Sequence, residues 1–395
     1  MNLTYFVIYI KIIVLTKEKI FLRIALFTDS FVPGIGGTEN VVLKLATELS
    51  AKHEVIVVAP NYHKPYDDNA LPFKVVRTNS IKVSRNECWA MPKFGSRARK
   101  ALDEFKPEVL HAHTLGTMTG FALSYAKKHN LPVVCTVHTK FKYCFDEVAK
   151  FPPLVKFLLK RIMKRANQAD IVTSVSDSMI EELRSYGLNK DKEVLIIRNG
   201  NDIKERKERI KTDNQKFTLL YVGMIISYKN LGFSLDVLKE LKQIDDDFIF
   251  YMVGRGAHER KFRKYVKKLG LENNVIMTGA ITDRQKLKEI YFSADLLLFT
   301  SVFDNDSLVL IESAENQVPA IVLENTGSAE RFVDGETGFI ASTDKKAFAE
   351  KIYSLKNDKE KLIKVGKKAY DICISWDKIV SEYEQVYAKA LELKK

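Results

Sequence analysis

Cysteine is scarce in this chain. Its 395 residues include 4 (Cys88, Cys135, Cys144 and Cys373), with no C-x-x-C pair. That spacing excludes a disulfide scaffold and a zinc ribbon, and it suits a reducing compartment. No apolar run reaches about 18 residues, the length an ordinary membrane-spanning helix needs. Short-period repeats and low-complexity tracts are missing too, which excludes repeat arrays and disordered polymers. The aromatic interleaving of a nucleic-acid groove is absent, and no nucleic-acid motif occurs. What remains is a globular composition, 46% hydrophobic and 29% charged. The length is too great for one ordinary core, so two domains near 200 residues each are expected.

The net charge of +13 is unevenly placed. Residues 1–200 carry 30 Lys and Arg against 19 Asp and Glu, the remainder 33 against 31. The basic half therefore holds +11 of the total, a field that favours polyanions, phosphate-rich substrates or an anionic lipid surface. At the start, residues 1–15 are apolar, but Lys11 interrupts them and no small-residue cleavage site follows. The segment does not read as a signal peptide. Residues 1–21 are expected to be an apolar extension, or upstream sequence admitted by an early start codon, with the domain proper opening at Leu22.

From there apolar runs alternate with amphipathic stretches. Strands are expected at Ile24–Thr28, Val55–Ala59, Val109–Ala112, Val133–Val137, Ile171–Val175 and Val194–Ile197. Glu39–Ala51 keeps helical spacing through Val42, Leu45, Ala46 and Leu49. The polar stretch Asp202–Gln215 has little apolar content and reads as a linker. The rhythm then restarts, with strands at Leu219–Val222, Phe248–Val253, Val275–Thr278, Leu296–Phe299 and Ala320–Leu323. Helices are expected at Leu231–Ile244, Arg260–Leu269, Arg284–Phe292 and Ser307–Asn316, and a last one at Trp376–Leu393. This is an α/β pattern of two doubly wound, Rossmann-like domains in tandem. The expected boundaries are 22–203, 204–371 and a closing segment 372–395.

Two loops carry chemistry. After the first strand, Asp29 to Glu39 reads DSFVPGIGGTE, a Gly-rich turn opening a helix whose free amides suit an anion. The spacing is G-x-G-G, and the second strand ends in Ala59-Pro60-Asn61 without an acid for a ribose, so a dehydrogenase is discounted. In the second half, Asp304 and Glu312 stand seven residues apart around a helix start near Ser307. Free amides there can face a diphosphate while one acid meets a sugar and the other a ribose. Asp304-Asn305-Asp306 has D-x-D form, which elsewhere holds a metal; beside the helix start it reads as sugar contacts and a loop. His111-x-His113 puts two rings on one face of a strand and reads as core or strand-end pocket. Lys150–Arg165 (KFPPLVKFLLKRIMKR) is a basic amphipathic helix, with Leu154, Phe157, Leu158, Ile162 and Met163 as its apolar set.

Taken in order, these segments resemble the family 4 glycosyltransferases of the GT-B fold, over roughly residues 22–390. The resemblance is carried by Ile24–Phe31 with its Gly-rich loop, Val137-His138-Thr139, Asp170–Ser176 and Arg198–Asp202. It continues through Tyr221-Val222-Gly223 with Lys229-Asn230, Met252–Gly256 and the Asp304…Glu312 segment. It implies a GT-B enzyme that moves a hexose, expected to be glucose, from a UDP-linked sugar with retention of configuration. The acceptor is expected to be a membrane lipid such as diacylglycerol, or a cell-envelope glycan.

By the same resemblance Asp304 binds the donor sugar, Glu312 the ribose, and Ser307, Leu308 and Val309 the phosphate through their backbone. Gly36 and Gly37 face the reacting centre, with Gly223 and Gly254 at strand ends on the donor side. His138 lies near the transferred sugar, Lys229 neutralises the departing diphosphate, and Ala280 and Ile281 line the base pocket. No metal or other cofactor is expected, and no nucleic-acid partner. Lys156, Lys160, Arg161, Lys164 and Arg165 are expected to dock a cytoplasmic, peripheral protein on the inner membrane face.

Two departures stand out. Asp replaces Glu at 304, and Met224 occupies a position where the family usually has Arg, with Arg255 as a candidate substitute. The alternatives are therefore an impaired nucleotide-sugar-binding protein or a nucleotide-sugar epimerase of the same fold.

Overall fold

The structure, a computed structural model, describes residues 21–34, 36–83, 88–92, 97–149, 151–202 and 216–395. All but one residue of the expected extension, and nearly all of the expected linker, lie outside these residues. The first sheet contains β1 (Arg23–Phe27), β2 (Glu54–Pro60) and β3 (Lys74–Thr78). A small antiparallel hairpin follows, β4 (Ser80–Lys82) with β5 (Cys88–Ala90). The first sheet then continues with β6 (Val109–Ala112), β7 (Val133–Val137), β8 (Ile171–Ser174) and β9 (Val194–Ile196). Its order is β3-β2-β1-β6-β7-β8-β9, with the paired strands parallel.

Parallel strands need crossover helices, which cover both faces and demand apolar side chains on both. β1 shows this in four residues. Ala25 and Phe27 enter a core with the helices Thr117–His129 and Pro152–Gln168. Ile24 and Leu26 face the opposite way, onto the helix Gly37–Ser50. The last helix, Trp376–Glu392, packs in that same cluster through Trp376, Ile379, Val380, Tyr383, Val386, Tyr387 and Ala390. The end of the chain thus completes the first domain.

The second sheet contains β10 (Phe217–Val222), β11 (Phe248–Val253), β12 (Val275–Gly279), β13 (Leu296–Phe299), β14 (Ala320–Leu323) and β15 (Phe339–Ala341). Its order is β12-β11-β10-β13-β14-β15, again with parallel pairs. The chain is therefore an α/β protein of two doubly wound domains.

The helix Pro152–Gln168 corrects one reading of the sequence. Its core side is Val155, Leu159, Ile162, Met163 and Ala166. Leu154 and Phe157 point to solvent instead, 43% and 59% exposed. Lys156, Lys160, Arg161 and Lys164 are exposed with them. Arg165 differs from those four: it is partly buried and its guanidinium donates to the Leu115 carbonyl at 2.8 Å. It braces one helix against the start of another.

The domains meet at a buried ion pair. Arg331 grips Asp306 with two guanidinium nitrogens, and both side chains are almost wholly excluded from solvent. Asp306 accepts from the Asn199 backbone amide at 2.5 Å, while Arg331 donates to the carbonyls of Asn199 and Ile372, each at 2.8 Å. Nearby, Glu330 accepts from the backbone amides of Asp177 and Ser178, both at 2.8 Å, at the start of the helix Asp177–Tyr186. Removing one partner of such a pair strands the other charge in a dry site. Arg331→Ala should cost about 3–5 kcal/mol, seen as a fall in the urea midpoint, with Arg331→Lys recovering only part of it.

Candidate active site

In doubly wound sheets, ligands bind beyond the carboxyl ends of the strands where the strand order reverses. The first sheet reverses between β1 and β6, the second between β10 and β13. The loops at these points hold the sequence's candidates.

On the donor side, the loop after β10 runs Gly223–Asn230 and the loop after β13 runs Thr300–Ser307. They are stitched together at Thr300. Asn230 donates to its carbonyl at 3.1 Å, and its hydroxyl pairs with Ser234 at 2.6 Å. Asn230 itself takes a left-handed backbone (φ 57°), which turns the chain into the helix Leu231–Ile244. These ties bring Lys229 onto Asp304: its ammonium lies 2.5 and 2.8 Å from the two carboxylate oxygens. Both side chains are mostly buried, and the ammonium also stands 5.5 Å from the centre of the Phe303 ring. Two residues assigned separate tasks on the sequence are direct partners in the unliganded protein.

The helix after Asp304 spans Leu308–Glu315, with Ser307 as its N-cap and no side-chain cap bond. The backbone of Ser307, Leu308 and Val309 thus opens the helix as a set of amides available to an anion. Glu312 lies one turn further in. Its carboxylate accepts from the Tyr291 hydroxyl at 3.1 Å. Burial raises the Glu312 carboxyl above its ordinary value, against the opposing pull of the Tyr291 hydroxyl and Arg284. Ile281 packs into the cluster that holds Tyr291, while Ala280 is exposed beside it.

Gly223 and Gly254 end adjacent strands. A side chain on Gly254 would lie 1.8 Å from the Gly223 carbonyl oxygen, so only glycine permits this approach. Met224 is 44% exposed and follows directly. The Arg255 carbonyl accepts from the Ile225 amide at 3.0 Å, which sets Arg255 on the neighbouring strand end. Its guanidinium reaches over Gly279, next to Ala280 and Ile281.

From the first domain, Gly36 caps the helix Gly37–Ser50, and among the described residues nothing stands within 4 Å of the open side of Gly37. Ile35 lies outside the described residues. His138 follows β7, and its carbonyl accepts from the Asn305 amide at 3.4 Å across the domains. Lys140 adds a second crossing, donating to the Val302 carbonyl at 3.1 Å. His138 therefore sits against the loop that carries Asp304.

Behind His138 stands a row of histidines. His138 Nε2 is 3.3 Å from His113 Nδ1, and the rings stack with centres 5.6 Å apart. His113 in turn stacks on His111 at 3.9 Å. His111 pairs with the Tyr387 hydroxyl at 2.8 Å and with Thr136 at 2.7 Å. His113 Nε2 is buried without a hydrogen-bond partner among the described residues. Burial pushes His138 down to about 4 and His111 to about 3, and holds His113 well below its ordinary value. All three are neutral at pH 7. The parallel register of β6 and β7 makes this row, and spacing along the chain does not reveal it. Tyr291 and Arg331 were likewise missed: each meets its acid only through tertiary packing.

Two Rossmann-like domains, with an anion-ready helix start, a lysine and an acid on one side and a Gly-rich loop on the other, define a GT-B glycosyltransferase that uses a nucleotide sugar. Residues 35–205 match the profile of Glycosyltransferase Family 4, and residues 202–372 that of Glycosyl transferases group 1. The alpha-monoglucosyldiacylglycerol synthase of Streptococcus pneumoniae is 22% identical over 325 residues, covering 77% of this chain and 71% of that protein. The enzyme of the same name from Acholeplasma laidlawii is 24% identical over 339 residues, covering 76% and 80%. Among solved structures, Anabaena HepE in complex with UDP and glucose superposes with a TM-score of 0.72 at 17% identity, covering 93% of this chain and 99% of that one. The chain belongs to the group 1 glycosyltransferases, with a family 4 first half.

The histidine row gives a stability signature. Unfolded histidine binds a proton near pH 6.5, whereas folded His111 and His113 bind one only far below. As pH falls below 6.5 the unfolded state gains protons first, so their contribution is complete above 6.5 and is lost on acidification. Each should cost about 1.4 kcal/mol per pH unit. The urea midpoint should drop between pH 7 and 5.5, and His113→Asn should flatten that slope.

Proposed function

We propose that this chain transfers glucose from UDP-glucose, with retention of configuration, to a lipid acceptor such as diacylglycerol at an anionic membrane surface. The observation that carries the reading is the Lys229–Asp304 pair at the mouth of the helix Leu308–Glu315. An incoming diphosphate takes the helix amides and draws the Lys229 ammonium towards its oxygens. Asp304 is then released to accept from sugar hydroxyls. Glu312, steadied by Tyr291, takes the ribose, and Ala280 and Ile281 flank the base. His138, neutral and held by His113, offers a ring nitrogen to the sugar without adding charge. Rate then comes from positioning and from leaving-group stabilisation.

In this reading no metal takes part. Asp304 and Asp306, the two acids of the D-x-D sequence, are each engaged by a different cation, Lys229 and Arg331. The lipid acceptor is supported by the activity for which the two synthases above are named. The exposed basic face of the helix Pro152–Gln168, with Lys156, Lys160, Arg161 and Lys164 beside Phe151, Leu154 and Phe157, supports the membrane surface. Among the described residues no helix is long and apolar enough to cross a membrane. A catalytically impaired, donor-binding protein is the second reading, favoured by the exposed Met224 beside the site.

The test supplies labelled UDP-glucose to the protein in EDTA, with vesicles of phosphatidylglycerol, phosphatidylcholine and diacylglycerol. Label should pass into the lipid phase with the α-anomeric configuration; label that stays on the nucleotide refutes the reading. Lys229→Ala should lower kcat about 10²–10³-fold, the loss typical of one transition-state charge contact, with circular dichroism unchanged. Met224→Arg should raise turnover, and equal turnover would mean that Arg255 already supplies the missing charge.

A further inference from the structure

We propose that the groove between the helices Thr117–His129 and Pro152–Gln168 seats the head-group phosphate of one anionic phospholipid, outside the catalytic cleft. The proposal rests on the membrane reading above and adds a discrete lipid site to it. The groove has a volume of 560 Å³. Among the described residues, its walls carry four cations, Lys127, Arg161, Lys164 and Arg165, and no carboxylate. None of Gly37, His138, Lys229, Asp304 and Glu312 lines it.

Three of the cations, Lys127, Arg161 and Lys164, are exposed and have no ion-pair partner among the described residues. The fourth, Arg165, is braced by the Leu115 carbonyl at 2.8 Å and so has a fixed place in the wall. Arg161, Lys164 and Arg165 follow one another at helical spacing, which stacks like charges on one face and leaves them to repel. A dianion or monoanion between the two helices relieves that repulsion. Arginine and lysine together suit phosphate, the first through its planar fork and the second as a point charge.

The apolar side chains around the groove say that the anion comes with a tail. Leu154 and Phe157 precede Arg161 and Lys164 at i, i+3, i+7 and i+10, on the same helix face. With Phe151 they form an exposed apolar end, 43–59% accessible. Across the groove, Ala90 and Met91 line the wall and follow Trp89, which is 65% exposed. Trp89 stands opposite Ile81 in the hairpin of β4 and β5, and Ile81 is 55% exposed. Tryptophan favours the level of lipid head groups. Exposed apolar side chains on the helix face of Arg161 and Lys164, beside clustered cations, match an amphiphile with a phosphodiester head and acyl chains. A free phosphate makes no use of the exposed apolar side chains.

The experiment titrates the full chain with monomeric dihexanoyl-phosphatidylglycerol by calorimetry. Saturable binding of one lipid per chain is expected. Ser124→Trp, which fills the groove without changing charge, should weaken it at least tenfold. So should the triple Lys127→Gln, Arg161→Gln, Lys164→Gln. A control triple, Lys74→Gln, Lys128→Gln, Lys190→Gln, removes equal charge outside the groove and should leave it within twofold. No saturable binding by the wild type, or equal loss in both triples, overturns the seat. Equally tight binding of glycerol 3-phosphate overturns the lipid as its occupant. Co-sedimentation with phosphatidylglycerol–phosphatidylcholine vesicles tests the membrane reading separately. A wild type that binds vesicles but no monomeric lipid refutes the seat and leaves that reading standing.

Discussion

The pair of Asp306 and Arg331 is the constraint on which the site depends. It stands one residue before the N-cap of the donor helix and two after Asp304. Through Asn199 it holds the last segment of the first domain, and through Ile372 it holds the approach to the final helix. A buried ion pair gains little net stability over apolar packing, because desolvation offsets most of the attraction. Its value here is directional. A guanidinium with fixed forks fixes the angle of the loop that carries Asp304, and with it the position of Lys229 and the open helix start.

Around that point the charges are kept in balance before any substrate arrives. Lys229 and Asp304 satisfy each other in a site where an unpaired charge is costly. In the proposed reaction, exchange of the Asp304 carboxylate for a diphosphate would keep the ammonium paired, so its burial would be compensated at every stage. The histidines opposite follow a different logic. They are kept neutral by burial, and they add shape and hydrogen-bonding capacity to the cleft without opposing the charges on the donor side.

Much of this fold is readable along the chain, because parallel strands buried on both faces leave continuous apolar runs. β1, β2, β6, β7, β10, β11 and β13 all announce themselves that way. β3, with its lysine and arginine, lies at a sheet edge and carries a weaker pattern. The hairpin strands and β15 have three residues each; β9 is as short, but its apolar run extends through Ile197 and so registers. The site divides similarly. Asp304, Glu312 and Lys229 sit in ordered motifs at recognisable spacings. Asp306 reads as part of a loop, since its meaning comes from Arg331, 25 residues away and visible only after folding. Arg165 reads as one more surface cation, yet its carbonyl partner at Leu115 lies 50 residues back. The apolar side of its helix is ambiguous along the chain, because apolar residues lie on two faces and only tertiary contact tells the core face from the exposed one.

The placement of the helix Trp376–Glu392 has a consequence for synthesis. It covers the face of the first sheet that Ile24 and Leu26 present, and it is among the last elements to be translated. Until that helix is made, this face of the first domain is covered only in part, by the helix Gly37–Ser50. The nascent chain must carry that surface through the making of more than 150 further residues. A chain cut before residue 376 keeps the segment from Asp304 to Glu312 and leaves that first-domain face without one of its two covering helices.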